Sequence, residues 1–210
     1  MNLASATLYG ILDLGYIEVS QTTDFAQKMI SGGVDIVQLR AKKLPVEEFT
    51  QIAMALVPLF QAAGIPFILN DHPELVESTG ATGAHVGQDD LSVSEARALA
   101  GPNAIIGKST HSLAQAITGA TEADYIGFGP LFATPTKPDY TPIGLDDIRT
   151  VHQSIDTTAT PIFCIGGIKL ENLPTVLAAG ASRVVIVSGL LQAPDVVAFC
   201  REVRRLLAAS

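Results

Sequence analysis

The feature that most constrains the fold is an alternation of short apolar runs with longer amphipathic stretches along the chain. Eight runs rich in apolar and β-branched residues are typical of strands buried on both faces: Leu8–Leu12, Ile36–Leu39, Pro66–Leu69, Gly83–Val86, Ala104–Gly107, Tyr125–Phe128, Pro161–Ile165 and Val184–Val187. Helical patterns follow them at Phe25–Ser31, Val46–Ala63, Pro73–Thr79, Ser92–Ala100, Leu113–Thr121, Leu145–Ser154, Asn172–Ala179 and Pro194–Ala208. Strict alternation of strand and helix favours a parallel sheet joined by right-handed crossovers.

Eight such units in 210 residues predict an α/β protein with a single (β/α)8 TIM barrel domain over residues 1–210. The alternative is an open, doubly wound sheet. Against that alternative, the segment Gly10–Gly15 lacks the glycine-rich turn that binds dinucleotides after a first strand. In a barrel, functional residues gather at the carboxyl ends of the strands, so polar side chains should follow the apolar runs.

Composition excludes several classes of function. A net charge of −8 leaves no basic stripe to neutralise a nucleic-acid backbone, so we expect no nucleic-acid partner. No apolar run reaches the length of a membrane span, and the first residues do not form a signal peptide, so we expect no membrane partner. The two cysteines, Cys164 and Cys200, form no Cys-x-x-Cys motif, which argues against zinc and favours a reducing cytoplasm.

Charged side chains follow strands two to four. Gln38 and Arg40 alternate toward the predicted barrel mouth, and Lys42 adds a charge nearby. Arginine can fork onto phosphate oxygens, although basic residues here could also begin a surface helix. Asp71 and Asp90 fall on adjacent strand-end loops, where two carboxylates can bind Mg²⁺ or, alternatively, cap helices. His85, at the end of strand four, is either a core histidine or a substrate contact.

Hydroxyls and glycines follow strands five to eight. Ser109 could orient a heterocycle or cap a helix. The spacing of the residues around it does not indicate a Ser-His-Asp triad, so we do not interpret Ser109 as a nucleophile. Strand six leads to Thr134–Lys137, which is either a polar loop or a site offering two hydroxyls and an ammonium to a phosphate. Gly166–Gly167 could form a simple tight turn. Together with Ser188–Gly189, however, the pair favours a phosphate site at loops seven and eight, the common one in such barrels. Anion sites at both sides of the mouth predict two phosphorylated ligands.

Taken together, these motifs resemble the thiamine phosphate synthase family, from about Leu8 to Pro194. The resemblance depends on Gln38-Leu-Arg-x-Lys42, Asn70-Asp71, His85-x-Gly-Gln-x-Asp90, Gly107-x-Ser-x-His111, Gly127-x-Gly-Pro130, Thr134-x-Thr-Lys137, Gly166-Gly-Ile168 and Val187-Ser188. It implies a phosphate-binding (β/α)8 barrel and a transferase activity. The implied reaction joins 4-amino-2-methyl-5-hydroxymethylpyrimidine diphosphate to a thiazole phosphate through a pyrimidine carbocation, releasing diphosphate.

The resemblance also implies roles for individual residues. It assigns small-molecule substrate binding to Gln38, Leu39, Arg40, Ala41, Lys42, Asn70, His85, Ser109, Thr134, Pro135, Thr136, Lys137, Gly167, Val187 and Ser188. It places the diphosphate with Arg40, Lys42 and Lys137, and the thiazole phosphate with loops six to eight. Arg40, Lys42, Ser109 and Lys137 are the expected catalytic residues, and Asp71 and Asp90 the expected Mg²⁺ ligands.

The chain departs from the family pattern at a few positions. Ala41 replaces an acidic residue, Leu12 and Leu14 replace threonine and arginine, and Cys164 replaces a glycine. None of these departures removes a phosphate or metal ligand. Two alternatives share the fold: a thiazole tautomerase, and a non-enzymatic regulator that binds a thiamine precursor. The diphosphate-binding residues favour the synthase over the tautomerase, which has no diphosphate to hold. The metal and lysine residues argue against the regulator, which would need only the anion pocket. The sequence does not indicate the oligomeric state, and a homo-oligomer is one of the alternatives.

Overall fold

The computed structural model describes residues 3–134 and 141–209 and contains a closed barrel of parallel strands in chain order. The strands are β1 Leu8–Asp13, β2 Ile36–Arg40, β3 Phe67–Asn70, β4 Gly83–Val86, β5 Ile105–Thr110, β6 Tyr125–Phe128, β7 Ile162–Cys164 and β8 Val184–Ile186. Pairing of β1 with β8, where Leu8 lies beside Val184, closes the barrel. The predicted (β/α)8 fold is therefore confirmed.

Helices cover the outside of the barrel. They are α1 Thr22–Gly32, α2 Val46–Ala63, α3 Val76–Thr79, α4 Val93–Ala100, α5 Leu113–Ala120, α6 Ile148–Ser154, α7 Leu173–Ala178, α8 Ser188–Leu191 and α9 Val196–Ala208. Short 3₁₀ turns occupy Leu3–Ser5, Val19–Gln21 and Pro73–Leu75. Most of these elements agree with the predicted ones to within a few residues. The short helix α8 was not predicted, because a single turn has no sequence period.

Side chains and glycines at the helix ends explain why the helices start and stop where they do. Ser92 Oγ accepts a hydrogen bond from the Glu95 N–H at 3.2 Å, and the Glu95 carboxylate accepts one from the Ser92 N–H at 2.9 Å. This reciprocal pair is the capping box of α4. Gly33 and Gly64 end α1 and α2 in the left-handed region, with φ of 81° and 69°. None of the helices in the described part of the chain is long and apolar enough to cross a membrane.

The strands have two buried faces, and each face belongs to a different core. Tyr9, Ile36, Ile68, Tyr125 and Phe163 fill the inside of the barrel with Ile11 and Val185. The alternate residues, such as Leu8, Leu12, Val37 and Leu39, pack between the strands and the helices. Because side chains alternate along a strand, the inward series continues to the barrel mouth as polar residues. The same alternation that builds the core therefore places polar side chains at the barrel mouth.

Candidate active site

A cavity opens at the carboxyl ends of the strands, and the inward residue series lines it. The lining residues are Tyr9, Ile11, Gln38, Arg40, Asn70, His85, Ser109, His111, Tyr125, Gly127, Gly129, Pro130, Thr134, Ile165, Gly166, Gly167, Ile168, Val185, Val187 and Ser188. Seven of the eight strands contribute, and Ile165 directly follows the other one, β7. The cavity therefore lies at the mouth of the barrel, where the sequence predicts the polar side chains.

Many of the predicted substrate residues meet in this cavity. Those that line it are Gln38, Arg40, Asn70, His85, Ser109, Thr134, Gly167, Val187 and Ser188. Leu39 and Ala41 are buried in the outer core, so their side chains do not reach the cavity and any contact with a ligand would come from their backbone. Pro135, Thr136 and Lys137 fall outside the described residues.

Arg40 is held by a carboxylate that the sequence did not assign to the site. Asp13 ends β1 opposite Arg40 on β2, and its Oδ2 accepts a hydrogen bond from Arg40 Nη1 at 2.6 Å. The Asp13 side chain is 2% exposed and the Arg40 side chain 14%. The other carboxylate oxygen of Asp13 accepts the Gly15 N–H at 2.9 Å. Both oxygens are thus engaged, and the guanidinium is fixed at the edge of the cavity.

Lys42 forms a second and more exposed ion pair. Its Nζ lies 2.9 Å from Asp71 Oδ2, with side-chain exposures of 51% for Lys42 and 24% for Asp71. Asp71 follows β3 directly and adopts a left-handed backbone with φ of 62°. That conformation is uncommon for residues other than glycine, although aspartate tolerates it better than most. The carboxylate of Asp71 therefore already faces a cation.

Asp90 lies in the loop after β4, and hydrogen bonds at Gly87 hold that loop. The Gly87 N–H donates to Asp90 Oδ2 at 2.7 Å, and the Gly87 carbonyl accepts from Lys108 Nζ at 2.6 Å. Asp90 itself is exposed. Residues 3–134 and 141–209 contain no group of three or more His, Cys, Asp or Glu side chains placed to share a metal. A cation bound here would take only part of its coordination from the protein.

A line of hydrogen bonds, here named the floor relay, crosses the bottom of the cavity through Gln38, Tyr9, Tyr125, His85 and Ser109. Gln38 Nε2 donates to Tyr9 Oη at 2.7 Å, and the Tyr9 and Tyr125 hydroxyls lie 2.9 Å apart. Tyr125 Oη lies 3.1 Å from His85 Nδ1, and His85 Nε2 lies 2.9 Å from Ser109 Oγ. Burial raises the pKa of both tyrosines well above 10, so they stay protonated.

Glycines allow loop seven to approach the end of β6. Gly166 has φ of 102°, and a Cβ built on it would lie 2.5 Å from Pro130 Cα. Gly167 has φ of 66°, and its Cβ would lie 2.8 Å from Phe132 Cβ. A side chain at either position would collide with the segment leading to Thr134. The Gly-Gly pair therefore brings two backbone segments together beside the cavity.

The residue-by-residue prediction missed Tyr9, Asp13 and Tyr125. Tyr9 and Tyr125 lie inside apolar runs, and Asp13 lies between two leucines. The signal that could have identified them is their position in the alternation of inward and outward side chains along each strand. Each belongs to the inward series of its strand, because Tyr9 and Asp13 share a face with Ile11 on β1, and Tyr125 shares a face with Gly127 on β6.

A (β/α)8 barrel with cations on one side of its mouth and a glycine-rich backbone on the other belongs to the class of barrels that bind phosphorylated ligands. A family model described as thiamine monophosphate synthase matches residues 8–190. The chain therefore belongs to the thiamine monophosphate synthase family.

Individual relatives agree with this assignment. A thiamine-phosphate synthase of Chloroflexus aurantiacus is 38% identical over 205 residues, which cover 97% of this chain and 93% of that protein. A thiamine-phosphate synthase of Gloeobacter violaceus is 41% identical over 194 residues, which cover 92% of this chain and 55% of that longer protein. A solved thiamine phosphate pyrophosphorylase of Pyrococcus furiosus superposes with a TM-score of 0.87 at 30% identity, covering 99% of this chain and 98% of the other.

Proposed function

We propose that this chain is a thiamine phosphate synthase, a transferase that couples 4-amino-2-methyl-5-hydroxymethylpyrimidine diphosphate to a thiazole phosphate. The observation that carries the proposal is that cationic side chains and a glycine-rich backbone, each suited to an anion, flank one cavity. Arg40 lies on one side, with Lys42 and Asp71 on the adjoining loops, and Gly167 and Ser188 lie on the other. A barrel that bound one phosphate would need only one of them.

The chemistry we propose is dissociative. The C–O bond to diphosphate breaks first and the electron pair leaves with the oxygen, after which the thiazole nitrogen attacks the pyrimidine methylene to form the C–N bond. Such a reaction needs no protein nucleophile, since the aminopyrimidine delocalises the positive charge. The protein contributes positioning and stabilises the negative charge on the leaving group. Arg40 is preorganised for this work by Asp13, so little reorganisation is needed when charge develops.

We further propose Mg²⁺ as the cofactor, with Asp71 and Asp90 as its protein ligands. Carboxylate oxygens suit this ion, which keeps several waters and takes further oxygens from substrate phosphates. The Lys42 ammonium at 2.9 Å from Asp71 supports the fit, since it indicates that positive charge is stable at this position. When bound, the ion would neutralise charge on the diphosphate. Lys42 would then be released to contact a phosphate oxygen.

The thiazole phosphate would bind on the opposite side of the mouth. Thr134 offers a hydroxyl, and Gly167, Val187 and Ser188 line the same wall. Backbone N–H groups in a loop with left-handed glycines are suited to phosphate oxygens. The roles of Pro135, Thr136 and Lys137 are proposed from their motif alone: Thr136 would bind the thiazole phosphate and Lys137 the diphosphate.

The cellular compartment and the partners of the protein are also proposals. Cys164 and Cys200 are both free and buried, which is compatible with a reducing cytoplasm. We propose that residues 1–210 act as one barrel domain on small molecules, without a nucleic-acid or membrane partner. A homo-oligomer is compatible with this function.

One experiment tests the proposed function directly. Purified protein is mixed with both substrates and Mg²⁺, and the products are separated by chromatography. Diphosphate and thiamine phosphate should appear in equal amounts. An isomerised thiazole phosphate without diphosphate would select the tautomerase, and binding without any product would select the regulator.

A further inference from the structure

The floor relay can be ordered in two directions, because each hydroxyl carries one proton to donate. In the first direction Tyr9 donates to Tyr125, Tyr125 donates to His85 Nδ1, and the His85 Nε2–H donates to Ser109 Oγ. In the second direction all three bonds reverse, and Ser109 donates to His85. The direction of the relay therefore sets both the imidazole tautomer and the orientation of the Ser109 proton.

The amide at the other end selects between the two directions. Gln38 turns its Nε2 toward Tyr9 and donates to the hydroxyl at 2.7 Å, and Tyr9 is 1% exposed. In the second direction Tyr9 would accept from both Gln38 and Tyr125, and its own proton would find no acceptor among the described residues. A buried donor without a partner is strongly disfavoured. The observed amide orientation therefore favours the first direction.

The first direction leaves a defined pattern facing the cavity. The Ser109 hydroxyl accepts from His85 and keeps its proton as a donor for a ligand. Gln38 uses its NH2 group on Tyr9 and keeps its carbonyl oxygen as an acceptor. The second direction would be satisfied only if the Gln38 amide turned over, and both ends would then change their roles together.

A 4-aminopyrimidine is complementary to this pattern. Its amino group is a donor for the Gln38 carbonyl, and its ring nitrogens are acceptors for the Ser109 hydroxyl. The corresponding 4-oxopyrimidine carries a carbonyl and a ring N–H, so its donors and acceptors are exchanged. A site built to hydrogen-bond one pattern rejects the other strongly, because mismatched polar groups are left buried without partners.

We propose that Tyr9, Tyr125 and His85 are positioning residues that fix the donor at Ser109 and the acceptor at Gln38, and so make the site select an aminopyrimidine over its oxo counterpart. The identity of the ligand depends on the proposed function. The direction of the relay is argued from the Gln38–Tyr9 and Tyr9–Tyr125 contacts and does not depend on the identity of the ligand.

Packing around the relay keeps it in register. Phe163 meets the rings of Tyr9 and Tyr125 edge-on, with centroids 5.6 and 5.8 Å away. Gly107 leaves the space in which Tyr125 and His85 meet, because a Cβ there would lie 2.1 Å from Tyr125 Cζ and 2.6 Å from His85 Nδ1. The two tyrosines therefore have little room for another arrangement.

The first test measures the tautomer of His85 by nitrogen-15 NMR, at a pH where the imidazole is neutral. The chain has 4 histidines, and the His85→Asn variant identifies the signals of His85. The expected result is a proton on Nε2 in the wild type and a mixture of tautomers in Tyr125→Phe, where the hydroxyl that donates to Nδ1 is gone. A proton on Nδ1 in the wild type, or an unchanged tautomer in Tyr125→Phe, would overturn the proposal.

The second test measures selectivity by calorimetry, without the thiazole substrate. The two ligands are 4-amino- and 4-oxo-2-methyl-5-hydroxymethylpyrimidine diphosphate. Tyr125→Phe should lower the ratio of their affinities by about tenfold or more. The matched control is Ile36→Val, which trims the same inner core and removes no hydroxyl, so its ratio should stay that of the wild type. An equal loss of selectivity in both variants would show that the relay acts through its packing and not through its hydrogen bonds.

The two tests separate failure of this inference from failure of the proposed function. If the wild type binds neither pyrimidine, the proposed function is wrong and so is the assignment of the ligand. If it binds the amino compound and Tyr125→Phe keeps full selectivity, only the inference about the relay is wrong.

Discussion

At the scale of single residues, burial distinguishes the two cations at the mouth of the barrel. Arg40 and Lys42 each pair with a carboxylate, but the Arg40–Asp13 pair is almost fully buried and the Lys42–Asp71 pair is not. A buried pair cannot lose one partner without leaving an uncompensated charge, whereas an exposed pair exchanges partners readily. The Arg40 side chain is therefore fixed at the barrel mouth, whereas the Lys42 ammonium can exchange its partner.

We predict that Asp13→Asn lowers the free energy of unfolding by about 1–3 kcal/mol, because it leaves Arg40 without its counter-ion. We also expect kcat/KM for coupling to fall by about tenfold or more, because the guanidinium loses its anchor. Urea titration and steady-state kinetics give the two values. The control is Asp24→Asn, whose pair with Lys28 is exposed, at 60% and 45%, and whose stability should stay within about 0.5 kcal/mol of the wild type.

We predict that Asp71→Asn raises the Mg²⁺ concentration needed for half-maximal velocity by about tenfold, because an amide is a weaker ligand for this ion than a carboxylate. The measurement is initial velocity against Mg²⁺ at saturating substrates. Asn tolerates the left-handed backbone, so the fold should be kept. Asp89→Asn, a change of the neighbouring exposed carboxylate in the Asp90 loop, is the control. An unaltered Mg²⁺ requirement in Asp71→Asn would show that Asp71 is no ligand.

The residue scale also shows what the sequence could and could not predict. Gln38 and Arg40 were placed correctly at the mouth because a period of two along a buried strand is visible in the sequence. Asp13 was not assigned, because its partner lies 27 residues away and only the β1–β2 register brings the two together. Tyr9 and Tyr125 are 116 residues apart, and each alone is indistinguishable from a core aromatic.

At the scale of elements, Gly107 and Gly127 differ in how much space surrounds the position of an added Cβ. Gly107 and Gly127 occupy inward positions on the adjacent strands β5 and β6. A Cβ on Gly107 would enter the contact between Tyr125 and His85, whereas a Cβ on Gly127 would approach no atom closer than 3.6 Å. The first glycine is required by packing, and the second is open to the cavity.

We predict that Gly107→Ala lowers the free energy of unfolding by about 3 kcal/mol or more, since the added methyl forces Tyr125 or the strand to move. Gly127→Ala is the matched control, with an expected change of about 1 kcal/mol or less. Urea titrations of both variants give the comparison. Equal stabilities would mean that Tyr125 can move aside without loss, and the floor relay would then not be confined.

The existence of the elements was more predictable than their ends. All of the predicted strands are present because buried β-branched runs are distinctive over four to six residues. The start of α6 moved from Leu145 to Ile148, since apolar residues just before a helix pack against the core as helical ones do. Helix α8 has only four residues, Ser188–Leu191, and its residues were interpreted as part of a phosphate loop.

At the scale of the whole molecule, the closed barrel protects its thiols. Burial raises the pKa of Cys164 and Cys200 from 9.0 to about 12. The folded chain keeps these protons at a pH at which the unfolded chain has lost them. Deprotonation therefore favours the unfolded state, and the contribution of each thiol to stability is present below pH 9 and lost as the pH rises toward 12.

We predict that the free energy of unfolding falls above pH 9 with a slope approaching about 1.4 kcal/mol per pH unit for each thiol. Urea titrations between pH 8 and about 10.5 measure the slope, and Cys164→Ala should make it shallower. Under native conditions neither thiol should react with a thiol reagent, and both should react in denaturant. A native reaction as fast as that of a free thiol would contradict the burial of these side chains.

The left-handed backbone at Asp71 sets two selective pressures against each other at a single codon. Glycine would relieve the strain and stabilise the fold, but it would remove the carboxylate that we propose for the metal. Selection for thermal stability alone should therefore enrich Asp71→Gly in a library of variants, while selection for growth that depends on the enzyme should retain aspartate. The residue at position 71 would then indicate whether a lineage has been selected for stability or for enzyme activity.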